Sequence, residues 1–352
     1  MKIEILFKRA VETGASDLHL RAGLPPILRI DGKLRHLEEF PVLTDNEIKQ
    51  MLDQIISSEQ KERFTQDKEL DFAWAFDFKA RFRINVMKQR KTFSVACRIL
   101  PFIVPSIDEL GLPQNCKDLI LQPRGLILVT GPTGVGKSTT MAAMIRHLNE
   151  HRECNIITIE DPIEYQHQNI KSIIAQRELG DDTNSFHIAL IRALRHDPDV
   201  IVVGEMRDLD TISAAITAAE TGHLVMSTLH TTDAVQTIDR MIDVFPPNQQ
   251  SQIRLQISQS LIAILSQTLL PRASGKGMIA AFETVLSNPS IRTLIREGRT
   301  YEIPTYIKIH AEAGTQSLDD ALASLVRSRQ VTREAAMQKT SDTKRLAKLL
   351  AG

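Results

Sequence analysis

The sequence predicts an α/β protein: a small α+β N-terminal domain, a core built on a parallel sheet with a phosphate-binding loop, and a helical C-terminal region. Three observations carry this reading. Four short apolar runs, Gly125 to Val129, Asn155 to Ile159, Val200 to Val203 and Leu224 to Thr228, recur with helical stretches between them. Runs apolar on both faces and spaced by helices fit a parallel sheet covered on both sides. The segment Gly131-Pro132-Thr133-Gly134-Val135-Gly136-Lys137-Ser138-Thr139 follows the first run almost at once. Before residue 100 the pattern is different, with short stretches alternating apolar and polar residues, as antiparallel strands with one wet face do.

Taken in order, residues 1 to about 20 read as a helix ending at Gly14 and then a strand from Ala15 to Leu20. Ile27-Leu28-Arg29-Ile30 runs into Asp31-Gly32 and on into Lys33-Leu34-Arg35, and an Asp-Gly pair between such runs signals a hairpin. Asp45 to Phe64 reads as helix, and Asp71 to Trp74, Ala80 to Val86 and Thr92 to Ile99 as antiparallel strands. The basic run Lys88-Gln89-Arg90-Lys91 reads as an exposed hairpin tip. This domain spans 1–100. Pro101, Pro105 and Pro113 mark 101–120 as a linker. The alternating core spans 121–270. After Pro271 the chain reads as helical and polar through 271–352, with a charged stretch from Lys339 to Lys348. No internal repeat appears.

The spacing Gly131-x-x-x-x-Gly136-Lys137-Ser138 is the P-loop pattern. Glycine lets the backbone turn sharply and bring its N–H groups against an anion. A helix beginning near Gly136 adds the positive end of its dipole, and Met141, Met144, Ile145 and Leu148 recur at the spacing such a helix needs. Lys137 reaches the β- and γ-phosphates and the Ser138 hydroxyl completes a Mg²⁺ shell. ATP and Mg²⁺ are the expected cofactors.

Further polar residues cluster in the same block. Glu160-Asp161-Pro162-Ile163-Glu164 lies just past the end of a strand, the edge at which open α/β sheets hold ligands. These carboxylates either orient water beside a γ-phosphate or cap a helix. The run Val200-Ile201-Val202-Val203-Gly204-Glu205 has the Walker-B form, with Glu205 placed to act through a metal and its water. His223 and His230 bracket one strand and so sit about 23 Å apart, too far to share an ion. His230, at the carboxyl end, is the phosphate-sensing candidate, while His223 suits a core position equally well. In the first domain Arg81 and Arg83 share a strand face and Arg98 lies on a neighbouring strand. They are either a solvated face or a set of guanidinium groups for a γ-phosphate.

Bulk properties narrow the function. Lys+Arg and Asp+Glu each total 43, so no overall basic field draws nucleic acid. Three scattered cysteines, Cys97, Cys116 and Cys154, fit a reducing compartment and supply no zinc module. No apolar run approaches the ~20 residues of a membrane span, and the N-terminus lacks a signal peptide's apolar segment. A cytoplasmic protein is expected, without direct membrane insertion.

The colinear set Ala15-Ser16-Asp17-Leu18-His19, Arg81-Phe82-Arg83-Ile84-Asn85, the P-loop, Thr158 to Tyr165, the Glu205 strand and Gly222-His223 to Phe245-Pro246 resembles the type IV pilus retraction ATPases, a branch of the secretion-type hexameric ATPases. The resemblance implies a PAS-like N-terminal domain, a RecA-like core and a homohexameric motor. The motor would act on an inner-membrane platform protein of the pilus assembly machinery, to which it is peripherally bound. It also implies roles. Glu164 is the general base, Glu205 the Walker-B acid, and His230 the γ-phosphate-linked histidine. Arg81, Arg83 and Arg98 are presented to nucleotide. The segment Ser290-Ile291-Arg292-Thr293-Leu294-Ile295-Arg296-Glu297 is similar to the retraction branch's AIRNLIRE-like motif, departing at Ser290 and Thr293. An assembly or type II secretion ATPase, a nucleic-acid translocase and a nucleotide-gated adaptor are the competing expectations.

Overall fold

The computed structural model describes residues 2–30, 32–76, 80–100, 103–309 and 314–351. The chain divides into two compact units, Met1–Ile103 and Val104–Gly352.

In the first unit β1 (Asp17–Arg21), β2 (Ile27–Ile30), β3 (Lys33–His36), β4 (Glu69–Phe76), β5 (Ala80–Gln89) and β6 (Thr92–Leu100) form one sheet, ordered β3-β2-β1-β6-β5-β4. Every pairing is antiparallel. Alternation sets its faces: along β5, Ala80, Phe82, Ile84 and Val86 are buried, while Arg81 and Arg83 point the other way. The helix Ile3–Glu12 buries Ile3, Leu6, Phe7 and Ala10, and the Phe7 ring stacks on Phe82 at 4.1 Å. Gly32, at φ 77°, serves the β2–β3 turn; Asp31, the other half of the predicted pair, and Pro101 lie outside the described residues. Arg90 and Lys91 close the exposed β5–β6 tip at φ 48° and 71°. The single helix read from Asp45 to Phe64 is two, Asp45–Leu52 and Ser58–Asp67. Ser57 and Gln60 form a second capping box, which starts a new helix where periodicity alone extends the old one.

Register places Arg98 across from Arg83 on one side and Asp17 on the other, so all three project from one face. Arg98 donates to Asp17 Oδ1 at 3.0 Å. Burial alone would raise the Asp17 carboxyl. Hydrogen bonds from Ser16 and Arg98, with the Arg98 and His19 charges, outweigh it and hold the group below its ordinary range. This stabilisation is complete above the unfolded carboxyl's pKa of about 3.9 and is lost as pH falls below it toward the folded value. Asp17→Asn should therefore flatten the loss of Tm below about pH 4, read by thermal melts across pH for both chains.

The second unit is built on β7 (Gly125–Thr130), β8 (Asn155–Glu160), β9 (Ile173–Glu178), β10 (Val200–Val203), β11 (Leu224–Leu229), β12 (Leu261–Pro271) and β13 (Met278–Leu286). Their order is β13-β12-β7-β11-β10-β8-β9. All pairs are parallel except β12 with β13. The four runs read as strands are the four adjacent central ones, and β7, β10 and β11 are buried at every residue.

Two boundaries differ from the sequence reading. The stretch 101–120 is not only linker: helices Ile107–Leu110 and Asn115–Ile120 bury Ile107, Leu112, Cys116, Leu119 and Ile120 against Met141, Met144 and Leu148. Pro105 and Pro113 each lie just before a helix, where a missing N–H does no harm. The region after Pro271 is not all helical either. β13 pairs with β12 from Ala263↔Leu286 to Pro271↔Met278, a long ribbon that extends the core sheet. Beyond it, Leu322, Ala336 and Leu346 are buried in a cluster with Leu270, Ile279 and Ala281, so the charged tail is folded through one apolar stripe.

Candidate nucleotide site

The loop after β7 turns on Gly131 and Gly136, both at positive φ. Gly131 has φ 143°, and a Cβ there would lie 2.4 Å from the Gln267 carbonyl oxygen. Gly136, at φ 90°, is the N-cap of the helix Lys137–His151. Pro132, Thr133 and Gly134 are exposed, whereas Val135 is buried and anchors the loop. Lys137 is buried, its Nζ donating to the carbonyls of Gly131 at 2.7 Å and Pro132 at 3.1 Å. The Ser138 hydroxyl is on an exposed residue of the first turn. Thr139 Oγ1 meets the Tyr165 hydroxyl at 3.1 Å.

Neighbouring strand ends bring acids and a histidine to the same edge. His230, following β11, lies with Nδ1 3.4 Å from Lys137 Nζ and 3.2 Å from Thr133 Oγ1, and with Nε2 3.0 Å from Glu205 Oε1. An ammonium and a carboxylate therefore meet the two nitrogens of one ring, and with Nδ1 accepting from the lysine, Nε2–H donates to Glu205. One imidazole thus joins the loop lysine to the acid after β10. Thr228 Oγ1 donates to the Gly204 carbonyl at 2.6 Å, which fixes the peptide before Glu205. Burial would raise the Glu205 carboxyl, but Arg207, bonded at 2.6 Å, together with His230 outweighs it and keeps the group ionised. Burial pushes the Lys137 ammonium down, and the Glu205 and Glu164 carboxylates pull it back.

Residues 2–342 match the family described as type II/IV secretion system protein. The chain belongs to that family. It is 44% identical to the "Type IV pilus retractation ATPase PilT" of Pseudomonas aeruginosa, over 96% of this chain and 98% of that one. It is 41% identical to a "Twitching motility protein" of Neisseria gonorrhoeae, over 98% and 92%. Among solved structures, that of the pilus retraction motor PilT with bound ADP superposes with a TM-score of 0.93 at 45% identity, covering 99% of both chains. The chain is a PilT-type secretion ATPase.

In this secretion ATPase the residues predicted for the loop, Glu205 and His230 come together at one sheet edge. Glu164 follows β8 and is near enough to act on Lys137 electrostatically. His223, at the far end of β11, bonds the Ala218 carbonyl at 3.0 Å and takes no part. Arg81, Arg83 and Arg98 belong to the other unit. The donor set suits Mg²⁺: a hydroxyl at a helix start and an ionised carboxylate, both hard oxygen ligands.

Sequence reasoning missed the braces. Gln267, in β12, accepts from Thr140 Oγ1 at 2.8 Å and donates to the Val135 carbonyl, holding both ends of the loop. Gln176, in β9, donates to Glu160 at 3.0 Å and to the Tyr165 carbonyl at 2.8 Å, and accepts from the His167 N–H. Glu178 accepts from the Ile163 N–H at 3.1 Å. These fix the segment carrying Glu164. No motif marks them, because each acts through residues distant in sequence. Gln267→Ala leaves the Val135 carbonyl and the Thr140 hydroxyl unmet, at a cost of about 1–3 kcal/mol. Calorimetry should show Tm lowered by about 2–4 °C per kcal/mol lost, with weaker ADP binding.

Proposed function

We propose that this ATPase is a homohexameric motor that couples ATP hydrolysis to withdrawal of type IV pilins through an inner-membrane platform protein. The observation that carries the reading is the Lys137–His230–Glu205 chain in a protein that spans 98% of a pilus retraction ATPase. The loop N–H groups and Lys137 bind and orient the β- and γ-phosphates. Ser138 and Glu205 would hold Mg²⁺, which would neutralise phosphate charge. Glu164 takes the proton of the attacking water, and His230, bonded to the loop lysine, reports on the γ-phosphate. Arg81, Arg83 and Arg98 serve a nucleotide at a subunit interface, where hydrolysis alters interface geometry.

Identity favours retraction over assembly: the chain is 44% identical to the retraction ATPase of Pseudomonas aeruginosa and 32% identical to the assembly ATPase PilB of the same organism. Among the described residues no helix is long and apolar enough to cross a membrane, which supports peripheral attachment through a partner. The test is surface pili and twitching in a deletion strain. Wild type should restore twitching and normal pilus number, and Glu205→Ala should leave cells over-piliated and non-twitching. Loss of pili on deletion would instead mark an assembly motor.

A further inference from the structure

Between the helix Ser58–Asp67 and the sheet of the first unit lies a cavity of about 390 Å³. Leu52, Ile56, Leu70, Val86 and Phe93 line it. The helix explains why it stays open. Its sequence, Ser-Glu-Gln-Lys-Glu-Arg-Phe-Thr-Gln-Asp, has one apolar side chain, Phe64, and no residue of it is buried. The Phe64 ring stacks on Phe93 at 5.5 Å, and Leu52, Leu70 and Val86 beneath it are buried.

The polar lining is one-sided: Lys49, Lys61, Lys68 and Lys88 against the single acid Asp53. Lys61 already pairs with Asp53 at 2.8 Å. Lys68 turns its Nζ to the Thr65 carbonyl. Lys88 Nζ sits 3.3 Å from the Phe93 ring centroid, where the cation meets the apolar wall. Among the described residues Lys49, Lys68 and Lys88 have no carboxylate within ion-pair distance. An apolar chamber ringed by unneutralised cations selects a molecule with an apolar body and an anionic end. Its volume lies at the low end of the roughly 300–1,000 Å³ of small-ligand cavities, which suits one acyl chain and not a peptide helix.

We propose that this cavity binds a medium-chain aliphatic carboxylate, the chain against Leu70, Val86 and Phe93 and the carboxylate between Lys49 and Lys88. The assay is calorimetric titration of the full chain with hexanoate, octanoate and decanoate below their micellar concentrations, and with decanol. Affinity should rise about four-fold per added methylene, and decanol should bind at least about ten-fold more weakly than decanoate. The double variant Lys49→Gln/Lys88→Gln, both at solvent-reachable positions, should lose that ten-fold preference with ADP affinity unchanged. Thr65→Trp, at an exposed lining position, should block all four probes. Equal binding of decanol and decanoate, a chain-length series without slope, or undiminished decanoate binding by both variants would overturn the proposal. So would capture of an acidic apolar peptide with no binding of the free acids, which would make the cavity a protein-docking face.

Discussion

Lys137→Ala is expected to reduce ATP turnover at least about a hundred-fold, the scale on which a single preorganised donor to transition-state charge acts. The same change should abolish the rise in Tm that ADP confers, because that rise follows ligand affinity. The nucleotide-free fold should not suffer. Lys137 is buried, and burial pushes its ammonium down despite two nearby carboxylates, so the folded chain tolerates this charge rather than gaining from it. As pH rises toward the unfolded lysine's value of about 10.4 the folded state gains stability, because the depressed group loses its proton before the unfolded lysine does. Alanine removes the charge, which offsets the loss of a donor to the carbonyls of Gly131, a buried residue, and Pro132, an exposed one. A fall in apo Tm of many degrees would mean the lysine is a structural pin and would sink its assignment to phosphate.

Glu164→Gln gives the second large effect and separates binding from chemistry. General-base catalysis contributes about 10²–10⁴-fold, so turnover should fall by that factor. ATP affinity should hold within a few-fold, since the amide keeps the size of the side chain and Lys137 keeps Glu205 as a nearby carboxylate. The variant should accumulate bound ATP, visible as unhydrolysed nucleotide retained after rapid desalting. If ATP binding is lost along with turnover, Glu164 holds the site together instead of activating water.

The strands carrying this chemistry were legible because burial on both faces leaves an unbroken apolar run: Val200 to Val203 and Leu224 to Leu229 have no polar interruption beyond Ser227 and Thr228. The loop was legible because positive φ at Gly131 and Gly136 demands glycine at a fixed spacing. β9 and β13 were not. β9 is an edge strand with Ile173 and Ala175 outside, and Met278 to Leu286 mixes Glu283 and Thr284 into its apolar residues, so neither shows a clean period. The position of Glu164 and Glu205 after strands was legible, but the residues that hold them were not. Arg207 sits two residues from Glu205 in a stretch that reads as loop, and Gln267 and Gln176 act only through long-range pairing that no local pattern records.

The Gln267 contact to Val135 joins residues 132 positions apart. During synthesis the glycine turn leaves the ribosome long before the strand that clasps it. The nascent protein therefore passes through a stage in which the helix after the turn can form while its nucleotide cradle is still slack. Only arrival of the eleven-residue β12 sets the cradle, so a truncated chain ending before that strand would hold the entire P-loop signature and grip no nucleotide.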